Sequence, residues 1–172
     1  VGRYDEAEVA LQTALRRGQS RSRLDEQAAT HNSLSFLAYL HSDYDGVGHH
    51  ARQALKLATQ LGEPALRAPG LRHLGIAVYR TGDYARSHQL YNEALEAYRL
   101  ANDRLGVAGV YNNIGFVLRT QAKYTEAIDA FQKALAIYKE IGQVEGIALI
   151  HSNVGRTYAF SGNLSQALQH LS

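Results

Sequence analysis

The sequence contains no cysteine, methionine or tryptophan, and only two prolines. Without cysteine there is no disulfide framework and no thiolate chemistry, which is compatible with a cytoplasmic location. No apolar run approaches the ~20 residues that cross a bilayer, and no signal peptide is visible. Since methionine is missing even at position 1, we expect a piece excised from a longer chain.

The charge is low and evenly mixed. The net charge is +2 and the isoelectric point is near 8.9, with 45% hydrophobic residues. A nucleic-acid-binding protein usually shows a basic stripe, and none is visible here. We therefore expect neither direct nucleic-acid binding nor a membrane partner.

A 40-residue period organises the residues that are present. Such self-similarity at a fixed step is typical of repeat architectures. One register carries an aromatic residue that leucine replaces once: Tyr4, Tyr44, Tyr84, Tyr124 and Leu164. Another carries a glycine inside a helical pattern, with a serine in the first copy: Ser35, Gly75, Gly115 and Gly155.

Each period reads as a helix, a short turn and a second helix. Gly82 and Gly162 fit the left-handed residue just past a helix end. Asp43, Asp83 and Asn163 then fit the N-caps of the helices that follow. The mid-helix glycines cost about 1 kcal/mol each against alanine, which predicts a close approach of two helices there.

We predict an all-α fold with about four repeats and a leading half repeat, in one repeat domain over residues 1–172. Pro69 should delay the start of its helix or bend it, because proline removes a backbone donor. The expected bounds, with truncation at both ends, are 1–20 (half), 25–62, 64–102, 104–142 and 144–172.

These units resemble the tetratricopeptide repeat. The resemblance rests on Leu74-Gly75-x-x-Val78 with Tyr91 and Ala94, and on Ile114-Gly115-x-x-Leu118 with Phe131 and Ala134. The period is longer than the usual 34 residues. It is similar to the long-helix variety in kinesin light chains, in spindle-orientation adaptors and in the sensor arms of bacterial signalling and transcription regulators. The resemblance implies a right-handed α-solenoid, or superhelix, of antiparallel helix pairs.

The resemblance also implies a binding face, since the family's first helices line a concave surface that takes a peptide or a partner helix. Counting from the mid-helix glycine transfers the lining positions to this chain. Three or two positions before it lie Asn32, Arg72, Asn112, His73, Asn113 and Asn153. One or four positions after it lie Phe36, Phe116, Arg156, Tyr39, Tyr79 and Arg119.

Amides can pair with a peptide main chain, arginine with an acidic group, and aromatic rings with an apolar anchor. An alternative stays open for each type. Asn113 and Asn153 would instead bond an adjacent helix, the arginines would be solvated, and the phenylalanines would pack within the stack.

Catalysis, cofactors and bound metals are not expected. No histidine has another histidine three or four residues away on the same helix face. His49 and His50 are adjacent, and adjacent side chains diverge on a helix. Glycine spacing follows the repeat and forms no phosphate-binding loop.

The function predicted from this pattern is protein–protein interaction through the concave face, in the sensor or scaffold part of a larger bacterial regulatory protein. The partner would be a protein, a peptide or another domain of the parent chain. The first alternative is a structural arm, either self-associating through uncapped ends or folded back on its parent as an autoinhibitor. The others are a regulator with phosphatase-like activity and an RNA-binding array, which would need a base-reading code that the varying residues 72, 112 and 152 do not provide.

Overall fold

The computed structural model describes residues 2–171, with side chains from Tyr4 to His170, and all regular structure in this range is α-helical. Val1 and Ser172, the outer bounds of the predicted terminal repeats, lie outside the described residues. The helices are α1 Gly2–Ser20, α2 Leu24–Leu40, α3 Tyr44–Leu61, α4 Pro64–Arg80, α5 Tyr84–Leu100, α6 Arg104–Thr120, α7 Tyr124–Glu140, α8 Val144–Phe160 and α9 Leu164–Leu171.

The chain forms two compact units, Val1–Ala101 and Asn102–Ser172. In the first, consecutive helices from α1 to α5 pack against one another, and α2 also contacts α4. In the second, α6 packs on α7, α7 on α8 and α8 on α9. The division falls one residue before the end of the predicted repeat 64–102, so the first unit holds the leading helix and two helix pairs, and the second holds two helix pairs.

Eight inter-helix turns each pass through a residue with positive φ. These residues recur every 20 positions, which is half of the sequence period: Ser22, Ser42, Gly62, Gly82, Asn102, Ala122, Gly142 and Gly162. Asp43, Asp83 and Asn163 each accept a hydrogen bond from the backbone N–H three residues ahead, at 2.9, 3.0 and 3.2 Å. The left-handed turns predicted at Gly82 and Gly162 and the three predicted N-caps are confirmed.

Two of the mid-helix glycines leave space for aromatic rings from the second helix of the same repeat. A Cβ built on Gly75 would lie 2.5 Å from Cε1 of Tyr91, and one on Gly115 would lie 2.5 Å from Cε1 of Phe131. Both rings are almost completely buried. The predicted close approach is confirmed, and it brings a side chain of one helix onto the backbone of the other.

Helix α4 departs from the prediction for Pro69. It begins at Pro64, at a first-turn position that suits proline, and continues through Pro69. The expected late start is therefore wrong. Asn32 of α2 donates from Nδ2 to the Leu66 carbonyl at 2.8 Å, next to the Ala65 carbonyl, which is the one that Pro69 leaves without its helical donor. This bond joins α2 to the first turns of α4.

Candidate functional site

Six of the predicted site residues come together on two neighbouring helices of the first compact unit. On α2 they stand four and three residues apart, which puts them on one side of the helix. On α4 they include two adjacent residues and one a further turn and a half along. We call this surface the α2–α4 face: Asn32, Phe36, Tyr39, Arg72, His73 and Tyr79.

Three rings form a row across the α2–α4 face. Phe36 stacks on Tyr39 with centroids 6.5 Å apart and 24° between planes, and on His73 at 6.3 Å and 19°. Phe36 and Tyr39 are 47% and 41% exposed, whereas His73 is 3% exposed. An aromatic surface that is this open, with one end anchored in the core, is suited to holding an apolar side chain.

Polar atoms beside this row have no hydrogen-bond partner among the described residues. They are Oδ1 of Asn32, Nε of Arg72 and Nδ1 of His73, and all three are buried. Buried polar atoms normally have partners, so each unpaired one needs an explanation. One oxygen acceptor and two nitrogen atoms thus lie buried and unpaired beside a row of rings that includes two exposed ones.

Burial sets the charge of the face. It lowers the pKa of His73 to about 3, with the charge of Arg72 acting in the same direction, so His73 is neutral at pH 7. Burial also raises the pKa of the Tyr91 hydroxyl below the face, while the charge of Arg72 lowers it. The arginine is therefore the cation of this site, and no ion pair to it is present within the described residues.

The other six predicted residues lie in the second compact unit, on α6 and α8. Asn153 is completely buried and donates from Nδ2 to Oδ1 of Asn112 at 2.8 Å, so these two amides join α6 to α8. Asn113 is partly exposed and Arg156 is exposed. Nη2 of Arg156 lies 3.4 Å from Oγ of Ser152 in the preceding turn.

Arg119 packs on aromatic rings of the second compact unit. Its guanidinium carbon lies 4.5 Å from the ring centroid of Phe116 and 5.8 Å from that of Phe160, distances at which a cation is attracted to a ring face. Phe160 is 65% exposed. The sequence did not point to Phe160, since it ends α8 outside the register counted from the glycine.

Two histidine pairs were also missed. Nδ1 of His31 lies 3.0 Å from Nδ1 of His50, and Nδ1 of His151 lies 3.2 Å from that of His170. Burial lowers the pKa of His31 to about 4, with His50 and His49 adding to the shift. Each pair joins two helices, so a search for spacing within one helix could not find it; the signal was the 19-residue separation that both pairs share.

None of the described helices has an apolar stretch of the length needed to span a bilayer. Residues 106–172 match the family described as the tetratricopeptide repeat. A search of the curated proteins found no match to the sequence.

Solved structures share the fold over nearly the whole chain. BtubC from P. vanneervenii is 23% identical with a TM-score of 0.81, covering 99% of this chain and 71% of that one. A Rap protein complexed with competence and sporulation factor is 18% identical with a TM-score of 0.79, covering 98% and 49%, so this chain spans about half its length. The repeats of a kinesin light chain from Podosopora anserina are 13% identical with a TM-score of 0.72, covering 99% and 84%.

Proposed function

We propose that this chain, which has an all-helical solenoid fold and matches the tetratricopeptide repeat over residues 106–172, is a protein-interaction module that binds an extended peptide on the α2–α4 face. The observation that carries the proposal is the combination on this face of exposed stacked rings with buried, unpaired polar atoms. A peptide offers both an N–H donor and a C=O acceptor in each unit, which would pair with Oδ1 of Asn32 and Nδ1 of His73 once the side chains that cover them rotate on binding.

Arg72 and the aromatic row then set the preferred side chains. The guanidinium of Arg72 suits a carboxylate on the ligand, because such pairs form two parallel hydrogen bonds. Phe36 and Tyr39 suit an apolar or aromatic anchor, the kind of contact that dominates binding energy at interfaces. The expected ligand is a peptide with an acidic residue close to a large apolar one.

On the second compact unit, Asn113, Phe116, Arg119 and Arg156 remain proposed contacts. Asn112 and Asn153 bond to each other, so as placed they use their amides to join two helices. We therefore place the first contacts on the α2–α4 face.

The test begins with a displayed library of random peptides selected on the intact chain. A selected peptide, labelled for fluorescence anisotropy, is then titrated with wild type and with Phe36→Ala and Arg72→Gln. Loss of an aromatic anchor typically costs about 2 kcal/mol, so Phe36→Ala should weaken binding roughly 30-fold. The peptides should be enriched in acidic residues, and Arg72→Gln should remove the preference for them.

Leu100→Ala is the control, because Leu100 is a large apolar residue, 71% exposed at the end of α5, and lies outside all proposed contacts. Its affinity should stay within about twofold of wild type, the range of a residue outside the interface. If the library yields no binder, or if Leu100→Ala loses affinity while Phe36→Ala keeps it, the α2–α4 face is not the peptide site.

We also propose that the module is the cytoplasmic sensor or scaffold part of a larger bacterial regulatory protein. The likeness to a Rap protein complexed with competence and sporulation factor supports a ligand-binding role for this fold. The coding sequence around this segment tests the context: an adjoining regulatory domain in the same reading frame is expected, and its absence would overturn the proposal.

A second candidate is self-association, favoured by α9. Leu164 and Leu168 are 67% and 70% exposed and stand four residues apart on one side of this helix. Sedimentation at several concentrations separates the two functions. A mass that stays at one chain favours peptide binding, and a mass that doubles favours a self-associating scaffold.

A further inference from the structure

The two histidine pairs have the same geometry. His31 of α2 faces His50 of α3 with ring centroids 5.3 Å apart and 33° between planes. His151 of α8 faces His170 of α9 with centroids 5.4 Å apart and 32° between planes. In each pair the two Nδ1 atoms are within hydrogen-bond distance, so one ring donates and the other accepts between two helices.

Both pairs also occupy the same register of the repeat. His31 and His151 are three 40-residue periods apart, and so are His50 and His170. The two repeats between them hold other residues at these positions: Leu71 with Leu90, and Tyr111 with Ala130. Leu71 and Leu90 are 3% and 2% exposed, so packing at this register is satisfied by apolar side chains. Packing therefore does not require histidine at this register, and yet a histidine pair occurs there in two repeats.

The spacing of the nitrogen atoms fits two ligands of one metal ion. First-row transition metals bind imidazole nitrogen at about 2.0–2.1 Å, so two nitrogens on one ion at angles of about 90–110° stand roughly 2.9–3.4 Å apart. The observed separations are 3.0 and 3.2 Å. A shared ion would require each histidine side chain to rotate so that both Nδ1 lone pairs point to it.

We propose that each histidine pair is a binding site for a transition-metal ion of the zinc, nickel or copper(II) class, and that the bound ion ties the two helices of its repeat together. Imidazole is a preferred ligand of these ions. Before the ion binds, one ring of each pair carries its proton on Nδ1. That proton is lost to solvent and Nε2 of the same ring takes one up, so the ring stays neutral and its Nδ1 is free to bind the ion.

The sites have two protein ligands each. Among the described residues no group of three or more His, Asp or Glu side chains is arranged to hold a metal. Water fills the remaining positions, as the partly exposed edges of His50, His151 and His170 allow. The ring of His49 meets that of His50 edge-on with centroids 5.0 Å apart, and Tyr158 stacks on His170 with centroids 5.7 Å apart. Each pair therefore has one ring that packs against a further aromatic ring.

The experiment uses the metal alone and the whole chain. After treatment with a chelator and its removal, thermal unfolding is followed by circular dichroism with NiCl₂, ZnCl₂ or MgCl₂. An ion that binds only the folded chain raises the melting temperature. Nickel and zinc should raise it by several degrees and magnesium should not, because magnesium prefers oxygen ligands. Equilibrium dialysis should find two nickel ions per chain.

Single variants His50→Gln and His170→Gln should each retain one ion, and the double variant none. His41→Gln is the control, because His41 is exposed and outside both pairs; it should retain two. Imidazole ¹⁵N spectra of the wild type give a readout that needs no variant: zinc should shift the Nδ1 signals of the paired histidines and leave His41 and His88 in place. Undiminished binding to the double variant, no binding at millimolar metal, or shifts confined to unpaired histidines would overturn the proposal.

Discussion

At the scale of single residues, the turns allow a measurement of what a positive φ costs alanine compared with glycine. Ala122 has φ 58° and Gly82 has φ 87°, a region that glycine enters without cost and alanine does not. A Cβ at Gly82 would have no atom within 4 Å, so only the backbone conformation decides the effect of a substitution there. Ala122→Gly should raise the free energy of unfolding by up to about 1 kcal/mol, and Gly82→Ala should lower it by about 1–2 kcal/mol. Urea unfolding followed by circular dichroism measures both.

Ala136→Gly is the control for these turn variants. Ala136 is exposed in the middle of α7, where glycine costs about 1 kcal/mol against alanine. The opposite signs of Ala122→Gly and Ala136→Gly are the critical result. If both destabilise the chain equally, residue 122 does not hold a left-handed conformation in solution.

Local chemistry explains which residue roles the sequence could predict. The caps at Asp43 and Asp83 and the turn at Gly82 depend on three or four neighbouring residues, and all were predicted correctly. The pairing of His31 with His50 depends on how two helices turn their faces to each other, which no pattern within one helix reports. The bond between Asn153 and Asn112 is of the same kind: a bond from Asn153 to an adjacent helix was one of the two roles left open, but no sequence pattern identified Asn112, 41 residues away, as its partner.

At the scale of an element, α4 carries an internal proline next to a hydrogen bond from α2. Pro69 cannot donate to the Ala65 carbonyl four residues before it, and Nδ2 of Asn32 donates to the adjacent carbonyl, that of Leu66. Asn32→Ala should lower the free energy of unfolding by about 0.5–1.5 kcal/mol, the typical net contribution of one hydrogen bond. Pro69→Ala should restore the helical donor and by itself raise stability by up to about 3 kcal/mol.

The double variant tests whether the two residues are coupled. With Pro69→Ala in place, the N–H of residue 69 pairs with the Ala65 carbonyl and firms this part of the helix, so Asn32→Ala should cost at least about 0.5 kcal/mol less than it does in wild type. Chemical unfolding of the four proteins completes the cycle. Additive effects would show that the bond from Asn32 and the missing N–H of Pro69 act independently. From the sequence we predicted a late start or a bend in this helix; the late start is wrong, because Pro64 already supplies a suitable first helical position.

At the scale of the whole molecule, the period of 40 residues predicted the helix count and order well, since each helix with its turn takes half a period. Stacked repeats depend mainly on their nearest neighbours, so a segment that holds whole helix pairs can be stable by itself. Residues 1–101 form one of the two compact units and end after α5, whose Tyr91 and Leu90 are buried. This fragment should therefore fold alone, with the helical signal per residue of the full chain.

The fragment of residues 1–101 should unfold cooperatively. Its urea m-value should be about three-fifths of that of the full chain, because m scales with the surface exposed on unfolding and the fragment has 101 of 172 residues. A fragment of residues 1–80 is the control. It ends with α4 and lacks Tyr91, so the backbone of Gly75 is uncovered and α4 loses the helix that packs on it. We expect this shorter fragment to lose cooperative unfolding, although it is only 21 residues shorter. If residues 1–101 also melt without cooperativity, the stability of the first compact unit depends on contacts beyond Ala101, and the repeats do not act as separable nearest-neighbour layers.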